Sequence, residues 1–450
     1  MNMFKSASLV LVNDGNLEKK SENIVHEFLV TQLTILKYHV EKLVLTADDD
    51  NFVASQLIEL SKQYDILLVL GNNNTILKAL LRLCDEDLSF AGKVEPKHES
   101  VCDLPSKAKL LTSNTLTYPV IYFQRIFILK EEYAKDQFKE VLQSHLEQYI
   151  APPLYKKFIQ AYTNGNTKSV IDSIHDLVTV NVHKEQDFVT LEVSSEQLTN
   201  VVEVEQMLAS RLDRQFLYSY GDQESLKKVL DSGDQHIVKS LEVIERCITT
   251  YGPDNTFLSF NGGKDCTVLL YLVYAYLQVN YPDYKKQMFC LYVQGKEPFP
   301  EQEEFISLCQ IYYNLDIMVV RGGIKDALQE VLTTKPNLKA CFMGTRRTDP
   351  HSGDLEDMQM TDRDWPQVMR VNPILDWHYS DVWDFLLVFK IPYCKLYDLG
   401  FTSIGSSTNT VRNPHLSYFD DKLNTKVYLP AYKLMKESEE RSGRNTARKS

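Results

Sequence analysis

One stretch decides the fold of the second half of this chain, Leu258-Ser259-Phe260-Asn261-Gly262-Gly263-Lys264-Asp265-Cys266-Thr267-Val268-Leu269-Leu270. Its pattern predicts a short buried strand, a tight glycine turn and the first turns of an apolar helix. Gly262 and Gly263 can adopt backbone conformations closed to other residues, so the chain can fold closely around an anion. The first N–H groups of the helix, its dipole and the charge of Lys264 would attract that anion. The stretch therefore predicts a phosphate-binding loop.

This loop differs from the Walker type. A Walker loop requires G-x-x-x-x-G-K-[ST], whereas here the lysine directly follows the glycine pair, and Asp265 and Cys266 come next. A kinase or GTPase is therefore disfavoured. Taken alone, the turn is equally compatible with a plain strand-to-helix connection, so the residues downstream must decide.

Four later segments place charged or small polar residues at the ends of apolar runs. They are Gly344-Thr345-Arg346-Arg347-Thr348-Asp349-Pro350, Thr361-Asp362-Arg363-Asp364-Trp365-Pro366, Val371-Asn372-Pro373-Ile374-Leu375-Asp376-Trp377 and Leu399-Gly400-Phe401-Thr402-Ser403-Ile404-Gly405. Together with the glycine turn, these motifs resemble the PP-loop ATP pyrophosphatase superfamily. Within it they are similar to the eukaryotic, PAPS-reductase-like FAD synthase (FMN adenylyltransferase) family. The resemblance covers about the last 210 residues.

The resemblance implies a PP-loop (adenine nucleotide alpha hydrolase-like) domain over residues 237–450. It also implies an enzyme that transfers AMP from ATP to the phosphate of FMN, giving FAD and pyrophosphate. Such a transfer is an in-line displacement that needs no covalent intermediate, and cations and fixed dipoles perform most of the catalysis. Mg²⁺ is the implied cofactor, with ATP and FMN as substrates.

The resemblance also implies the site residues. Those for ATP are Asn261, Gly262, Gly263, Lys264, Asp265, Thr267, Ser403 and Gly405, and the catalytic candidates are Lys264, Asp265, Arg346 and Asp349. Asp265 or Asp349 would ligate Mg²⁺. An acidic residue at a helix N-terminus explains Asp265 nearly as well. Only one of Arg346 and Arg347 is expected to face the site, because adjacent side chains on an extended segment point to opposite sides, and Arg346 is the favoured candidate.

Four residues are candidates for FMN. Asp362 and Trp365 match a T-D-x-x-W-P segment associated with the flavin ring, where an indole can stack and a carboxylate can accept a hydrogen bond. Core packing is the alternative for Trp365. Arg441 and Arg444 resemble C-terminal arginines that hold the FMN phosphate, although a basic tail is usually only solvated. Further upstream, Ser380 is predicted to cap a helix.

The composition limits the partners of this chain. Its 450 residues suggest two or three domains, and its 44% hydrophobic content is typical of a globular protein. The formal net charge of −12 argues against broad nucleic-acid or membrane binding, because those partners need a basic surface. The family resemblance, and not the composition, implies the small molecules ATP and FMN as partners, together with apo-flavoproteins that receive FAD.

The cysteines indicate a reducing compartment. Eight of them are scattered without a C-x-x-C pair, and several lie in apolar runs. Reduced thiols explain this distribution better than disulfides or zinc, so no transition metal is expected. The sequence shows no signal-peptide pattern or membrane-length apolar run, and the predicted location is the cytoplasm.

The first half predicts a second parallel sheet. Strand-like and helix-like segments alternate over residues 9–12, 21–36, 40–45, 52–63 and 66–70. Their order is similar to a molybdopterin-binding-like (MoeA/CinA-type) domain, here residues 1–151. The glycine-rich turns of that family are eroded to Val12-Asn13-Asp14-Gly15 and Leu70-Gly71-Asn72-Asn73-Asn74-Thr75. A structural or regulatory role is therefore favoured over catalysis, and Asp48-Asp49-Asp50 is explained as an acidic helix start.

A small α+β unit is predicted over residues 152–231, with an opening helix, strands at 177–183 and 188–193, and a second helix. Residues 231–235 would link it to the last domain. The fold class is thus α/β, with two parallel-sheet domains and a small α+β bridge.

Two other functions stay open. A PAPS reductase, or another PP-loop ATP pyrophosphatase, would share the fold. A PAPS reductase needs a cysteine nucleophile in an E-C-G-[IL]-H segment, which the sequence lacks, and Cys394 is a poor substitute. A non-catalytic nucleotide-binding protein is the other alternative, and the intact charged motifs argue against it.

Overall fold

The computed structural model describes residues 5–13, 20–46, 49–71, 73–83, 92–94, 102–105, 107–150, 152–162, 177–184, 188–212, 216–420 and 424–444. The chain divides into two compact units. The first contains residues 1–151 and 412–442, and the second contains residues 152–411 and 443–450. The predicted α/β class with parallel sheets is confirmed.

The first unit is built on a six-stranded sheet. Its strands lie in the order Tyr38–Thr46, Lys5–Asn13, Ile66–Gly71, Ile126–Leu129, Val120–Phe123 and Lys109–Leu111. The first four strands run parallel to one another. Strand Val120–Phe123 pairs antiparallel with both of its neighbours, Ile126–Leu129 and Lys109–Leu111. Its α-helices are Lys20–Ile35, Asp50–Gln63, Asn73–Leu83, Ala134–Gln137 and Gln143–Ile150, with a π-helix at Phe138–Leu142. Two small hairpins pair Gly92–Val94 with Cys102–Leu104 and Ser417–Asp420 with Thr425–Tyr428.

Local sequence explains the elements of this unit. Strand Ile66–Gly71 is buried over its first five residues, as expected for a central parallel strand covered on both faces. The side chain of Asp49 caps the helix Asp50–Gln63 by accepting the Asn51 N–H at 2.9 Å, as the acidic helix start predicted. Asp14, Gly15, Asp48 and Asn72 of the quoted motifs lie outside the described residues.

A late segment of the chain completes the core of this unit. Met435, 8% exposed, belongs to the cluster that contains Val10 and Val69 of the sheet. Gln124 Nε2 donates to the Leu434 carbonyl at 3.1 Å. Residues 431–435 therefore pack as part of the first unit. Residues 152–411, which belong to the second unit, separate them in sequence from residues 1–151.

The second unit contains a small antiparallel sheet. Its strands lie in the order Thr179–Lys184, Phe188–Ser195, Tyr155–Tyr162 and Phe216–Gly221, with helices Leu198–Leu212 and Gln223–Leu230. The prediction of an opening helix is wrong, because residues 155–162 form a strand. Their side chains alternate between more and less buried positions, and this period of two fits a strand better than a helix.

The large sheet of the second unit has the order Leu315–Arg321, Met288–Gln294, Thr256–Ser259, Ala340–Phe342, Met369–Val371 and Met358–Met360. All neighbours run parallel except the last pair. Five helices accompany it, namely Gln235–Tyr251, Lys264–Asn280, Pro300–Tyr312, Ile324–Thr334 and Tyr379–Val388.

The strand order of this sheet locates a crevice. From the central strand Thr256–Ser259 the chain proceeds to one side through Met288–Gln294 and Leu315–Arg321, and then returns to the other side at Ala340–Phe342. Open parallel sheets bind ligands where the strand order reverses, beyond the carboxyl ends of the strands. The functional site is therefore expected beyond Ser259 and Phe342.

The helix that follows the glycine turn, Lys264–Asn280, has 17 residues and is buried along most of its length. This explains its largely apolar sequence. Across the described ranges, no helix combines the length and apolar character needed to cross a membrane.

The contribution of residue 435 to the first core can be tested. Met435→Ala is expected to destabilise the first unit by about 2–4 kcal/mol, because it removes a buried side chain and leaves a cavity. Hydrogen exchange of the amides in strand Ile66–Gly71 measures this local stability. The matched control is Phe419→Ala on the same late segment, where the ring is 59% exposed. Equal exchange rates in the two variants would contradict this role of Met435.

Candidate active site

The glycine turn lies directly after strand Thr256–Ser259. Gly262 has φ +71°, a left-handed conformation that favours glycine. The Gly263 N–H donates to Asn261 Oδ1 at 3.0 Å, and the Lys264 N–H donates to the hydroxyl of Tyr397 at 2.8 Å. Thr267 Oγ1 donates back to the Gly263 carbonyl at 2.8 Å. The turn is thus held in shape by the protein itself.

A buried charged cluster lies at the start of the helix. The Asp265 carboxylate contacts Lys264 Nζ at 2.9 Å through Oδ2, and Arg346 Nε at 2.7 Å through Oδ1. The side chains of Lys264 and Arg346 are 2% and 1% exposed. Lys264 Nζ also lies 5.2 Å from the ring centroid of Tyr379, a cation–π distance. The cluster carries a surplus of positive charge at the expected crevice.

The charges in the cluster set the protonation of Asp265. Burial would raise the pKa of this carboxyl, but Arg346 and Lys264 beside it hold the pKa below the usual range of an aspartate. Asp265 is therefore a carboxylate at neutral pH. Its contacts with Lys264 and Arg346 hold both cations in place.

The Gly344–Pro350 segment delivers Arg346 to this cluster. The Arg346 N–H donates to Asp349 Oδ2 at 2.9 Å, and the Asp349 N–H donates to the Arg346 carbonyl at 2.9 Å. These bonds close a tight turn. Arg347 points elsewhere, because its Nε contacts Asp376 Oδ1 at 2.6 Å and its side chain is 43% exposed. The structure thus brings Lys264, Asp265 and Arg346 together and joins Asp349 to them through the backbone.

Gly344 allows the end of strand Ala340–Phe342 to reach the helix. A Cβ atom at Gly344 would lie 2.8 Å from the Cys266 nitrogen and 2.9 Å from its Cα atom. Both are backbone atoms that cannot move aside. Only a residue without a side chain permits this approach, which places Arg346 beside Asp265.

The cysteines around the site are unreactive. Burial raises the pKa of Cys266 to about 12, and its Sγ lies 3.0 Å from Asn261 Oδ1. Burial likewise raises the pKa of Cys394 to about 11. Six cysteines of the described chain are buried free thiols, while the side chains of Cys84 and Cys102 lie outside the described residues. A thiolate nucleophile at Cys266 or Cys394 is disfavoured.

The segment Thr402-Ser403-Ile404-Gly405 contacts Arg444, one of the two C-terminal arginines predicted to bind FMN. Arg444 Nη1 donates to the Ile404 carbonyl at 2.9 Å and lies 3.4 Å from Ser403 Oγ. A methyl group on Gly405 would overlap the Arg444 guanidinium in its present position, so the two groups are closely packed. Residues expected to bind ATP and an arginine expected to bind FMN thus share one location. Arg441 is exposed and belongs to the first unit.

The predicted flavin residues have other contacts. Asp362 is 67% exposed and lies 3.9 Å from Arg370. Trp365 is partly buried against the apolar cluster that contains Phe257 and Leu291, and Lys325 Nζ lies 5.9 Å from its ring. These contacts are those of a packed aromatic at the edge of a core, which is the alternative considered for Trp365.

The carboxylates do not form a ready metal site. Both Asp265 oxygens face cations, and Asp349 Oδ2 accepts the Arg346 N–H. In the described part of the chain, no group of three His, Cys, Asp or Glu side chains is arranged to hold a metal. Mg²⁺ is commonly bound by one or two carboxylates together with substrate phosphates, so these residues do not by themselves fit a protein-held ion.

The structure also shows site residues that the sequence reasoning missed. Tyr397 accepts the first helical N–H, and Tyr379 stacks under Lys264. No spacing rule points to either, since both come from elements far along the chain. The helix Tyr379–Val388 is capped by His378 with Asp381 as its reciprocal partner, so the prediction of Ser380 as the cap is wrong.

Comparisons with known proteins agree on the second unit. The family described as "Phosphoadenosine phosphosulfate reductase domain" matches residues 255–412. The "Probable FAD synthase" of Schizosaccharomyces pombe is 39% identical over 210 residues, which cover 46% of this chain and 77% of that protein. The "Probable FAD synthase" of Caenorhabditis elegans is 27% identical and covers 98% of this chain and 97% of its own length.

A solved structure is also similar. The Candida glabrata FMN adenylyltransferase in complex with FMN and the ATP analog AMPCPP is 25% identical. It covers 49% of this chain and 98% of that chain, with a TM-score of 0.45.

Asp265 and Asp376 offer a matched pair of substitutions, because each carboxylate lies between a lysine and an arginine. Asp265→Asn leaves two buried cations without their anion and is expected to cost about 3 kcal/mol of stability at pH 7. Asp376 contacts Lys239 and Arg347 at the surface, and Asp376→Asn is expected to cost less than about 1 kcal/mol. Denaturant unfolding, followed by a probe in the second unit, measures both.

Acid should remove the difference in free energy of unfolding between wild type and Asp265→Asn. The folded state lowers the pKa of Asp265, so its stabilisation is present above the unfolded pKa of about 3.9. It is lost as pH falls through the still lower folded pKa. Unfolding is measured for wild type and Asp265→Asn at pH 7 and at successive steps below pH 4. The two proteins are expected to differ in free energy of unfolding at pH 7, and this difference should shrink as the pH falls. A gap of constant size would contradict the assignment.

Proposed function

This chain belongs to the FAD synthase family, and from that premise we propose that it transfers the AMP group of ATP to the phosphate of FMN, releasing pyrophosphate and forming FAD. The observation that carries the proposal is the buried cluster of Lys264, Asp265 and Arg346 beside the glycine turn. It lies where an open parallel sheet offers a nucleotide crevice. The relatives named above support the same reaction.

The reaction requires charge compensation more than covalent chemistry. An oxygen of the FMN phosphate attacks the α-phosphorus of ATP, and the bond to the pyrophosphate oxygen breaks in line. Negative charge builds on the leaving pyrophosphate. We assign the glycine turn and Lys264 to the β- and γ-phosphates, and Arg346 to the charge that develops near them. Asp265 positions both cations, and Asp349 positions Arg346 by holding its N–H.

The approach of two polyanions needs a second basic group. We assign Arg444 to the FMN phosphate, because its guanidinium lies against Ser403 and Gly405 in the turn expected to close over ATP. This places one arginine where the two substrates would meet. Asp362, Trp365 and Arg441 remain predictions for FMN binding.

Magnesium enters this scheme as part of the substrate. ATP in cells is bound to Mg²⁺, whose charge reduces the repulsion between ATP and FMN. Since the protein carboxylates described above already have partners, no step of the proposal runs through a protein-held ion.

Sulfur chemistry is the alternative raised by the matching domain family. A reductase of that type would need a thiolate nucleophile. Burial raises the pKa of Cys266 and Cys394 to about 12 and about 11, so neither thiol ionises at neutral pH. The buried free thiols favour the cytosol as the compartment of the reaction. We propose a structural or regulatory role for the first unit and FAD-accepting apo-proteins as downstream partners.

The reaction itself is tested with the purified chain, ATP, Mg²⁺ and FMN. FAD and pyrophosphate are expected in equal amounts, with no product when riboflavin replaces FMN. Lys264→Met is expected to lower kcat at least about a hundredfold, because a charge that stabilises the leaving group is lost. Lys239→Met, at an exposed ion pair, serves as the control and is expected to keep full activity. Chromatography of the nucleotides gives both rates.

Two outcomes would overturn these assignments. Equal activity of Lys264→Met and wild type would remove Lys264 from catalysis. ATP binding without FAD formation by wild type would mean that another acceptor is used.

The two late arginines can be separated by their kinetics. Arg444→Gln is expected to raise the KM for FMN about tenfold or more, while the KM for ATP changes little, because one charge-assisted contact to phosphate is lost. Arg441→Gln on the same tail is the comparison. Initial rates over a matrix of both substrates give the two constants. An equal rise in both KM values for Arg444→Gln would contradict an FMN-specific role.

A further inference from the structure

The first unit holds a basic cluster at the amino edge of its parallel sheet. Lys5 begins the first strand, while Asp65 and Arg125 directly precede strands Ile66–Gly71 and Ile126–Leu129. These three strands are neighbours, so their amino ends meet. This edge lies opposite the carboxyl ends, where the eroded glycine turns were identified.

A late segment of the chain closes over this edge. Lys433 is 9% exposed, and its Nζ donates to the Tyr64 carbonyl at 2.6 Å and the Ser61 carbonyl at 3.3 Å. The same Nζ lies 3.6 Å from Asp65 Oδ1. Tyr432 lies beside it under the guanidinium of Arg125, 4.3 Å from the ring centroid. The residues surround a cleft of about 270 Å³, counted with its open mouth.

The guanidinium of Arg125 is the group in this cleft that is best suited to bind an anion. It is 15% exposed and lies 3.9 Å from Asp65 Oδ1, too far for a hydrogen bond. Within the described ranges, no oxygen accepts a hydrogen bond from its guanidinium. Arginine presents a rigid fork of N–H donors that fits the oxygens of phosphate or carboxylate. A partly buried fork that opens onto a cleft and donates to no oxygen of the described residues can serve as a binding group for an anion.

The charges in the cluster are also unbalanced. Lys5, Arg125 and Lys433 act electrostatically on one carboxylate, Asp65, whose Oδ2 also accepts the Ser6 N–H at 2.9 Å, while Lys5 Nζ donates to the Tyr149 carbonyl. Burial, and then repulsion by Arg125, lower the pKa of Lys433 to about 7 and that of Lys5 to about 8. Burial is the main cause of both shifts, and the nearby Asp65 carboxylate offsets them only in part.

We propose that this cleft binds a phosphate group, either free or at the end of a phosphate monoester, with Arg125 as its principal ligand and Lys433 and Lys5 as supporting charges. A dianion would balance the surplus positive charge and accept from the Arg125 fork. The first unit is then an anion-binding module. The site is separate from the glycine turn of the second unit and does not depend on the reaction proposed above.

Calorimetric titration of the full chain with inorganic phosphate tests the site. Because phosphate is also expected at the glycine turn, Lys264→Met is titrated in parallel and should retain the site in the first unit. Arg125→Met is expected to weaken that site at least about tenfold. Arg82→Met is the matched control, since Arg82 forms an exposed pair with Asp50 in the same unit. Glycerol phosphate in place of phosphate distinguishes a monoester from the free ion.

Folding is controlled independently. Circular dichroism and FAD formation should be unchanged in Arg125→Met and Arg82→Met. Arg125→Lys keeps the charge but loses the fork, and intermediate affinity is expected. Equal phosphate affinity in wild type, Arg125→Met and Arg125→Lys would overturn the proposal, as would the absence of any binding that survives in Lys264→Met.

Discussion

The ion pairs of Asp265 with Lys264 and Arg346 hold the proposed active site of this protein together. They connect the first turn of a buried helix to the end of a neighbouring strand, across the point where the strand order of the sheet reverses. Two buried cations without this carboxylate would repel one another at high cost, because little water is present to screen them. The carboxylate therefore permits a concentration of positive charge that an acidic protein otherwise lacks.

The backbone around this centre is arranged before any ligand arrives. Asn261 and Tyr397 already accept N–H groups from the glycine turn and the helix start, and Asp349 accepts the N–H of Arg346. Such preorganisation means that little reordering is needed when negative charge develops during phosphoryl transfer. In the proposed mechanism, these fixed dipoles and cations stabilise the charge on the leaving pyrophosphate.

The first unit follows the same physical principle at a different edge. Three cations gather at the amino ends of the strands in its parallel sheet. The late segment that contains Tyr432 and Lys433 is needed to complete this arrangement.

The sequence by itself determined the α/β class and the strand–turn–helix around Gly262 and Gly263, and it indicated that only one of Arg346 and Arg347 faces inward. These features are local, since they depend on hydrophobic period, glycine conformation and the alternation of adjacent side chains. Only the tertiary structure decided that residues 155–162 are a strand, that Tyr397 caps the helix start, and that the segment around Lys433 joins the first unit. Those outcomes depend on which distant surfaces bury one another, and no pattern within a short window of sequence records that choice.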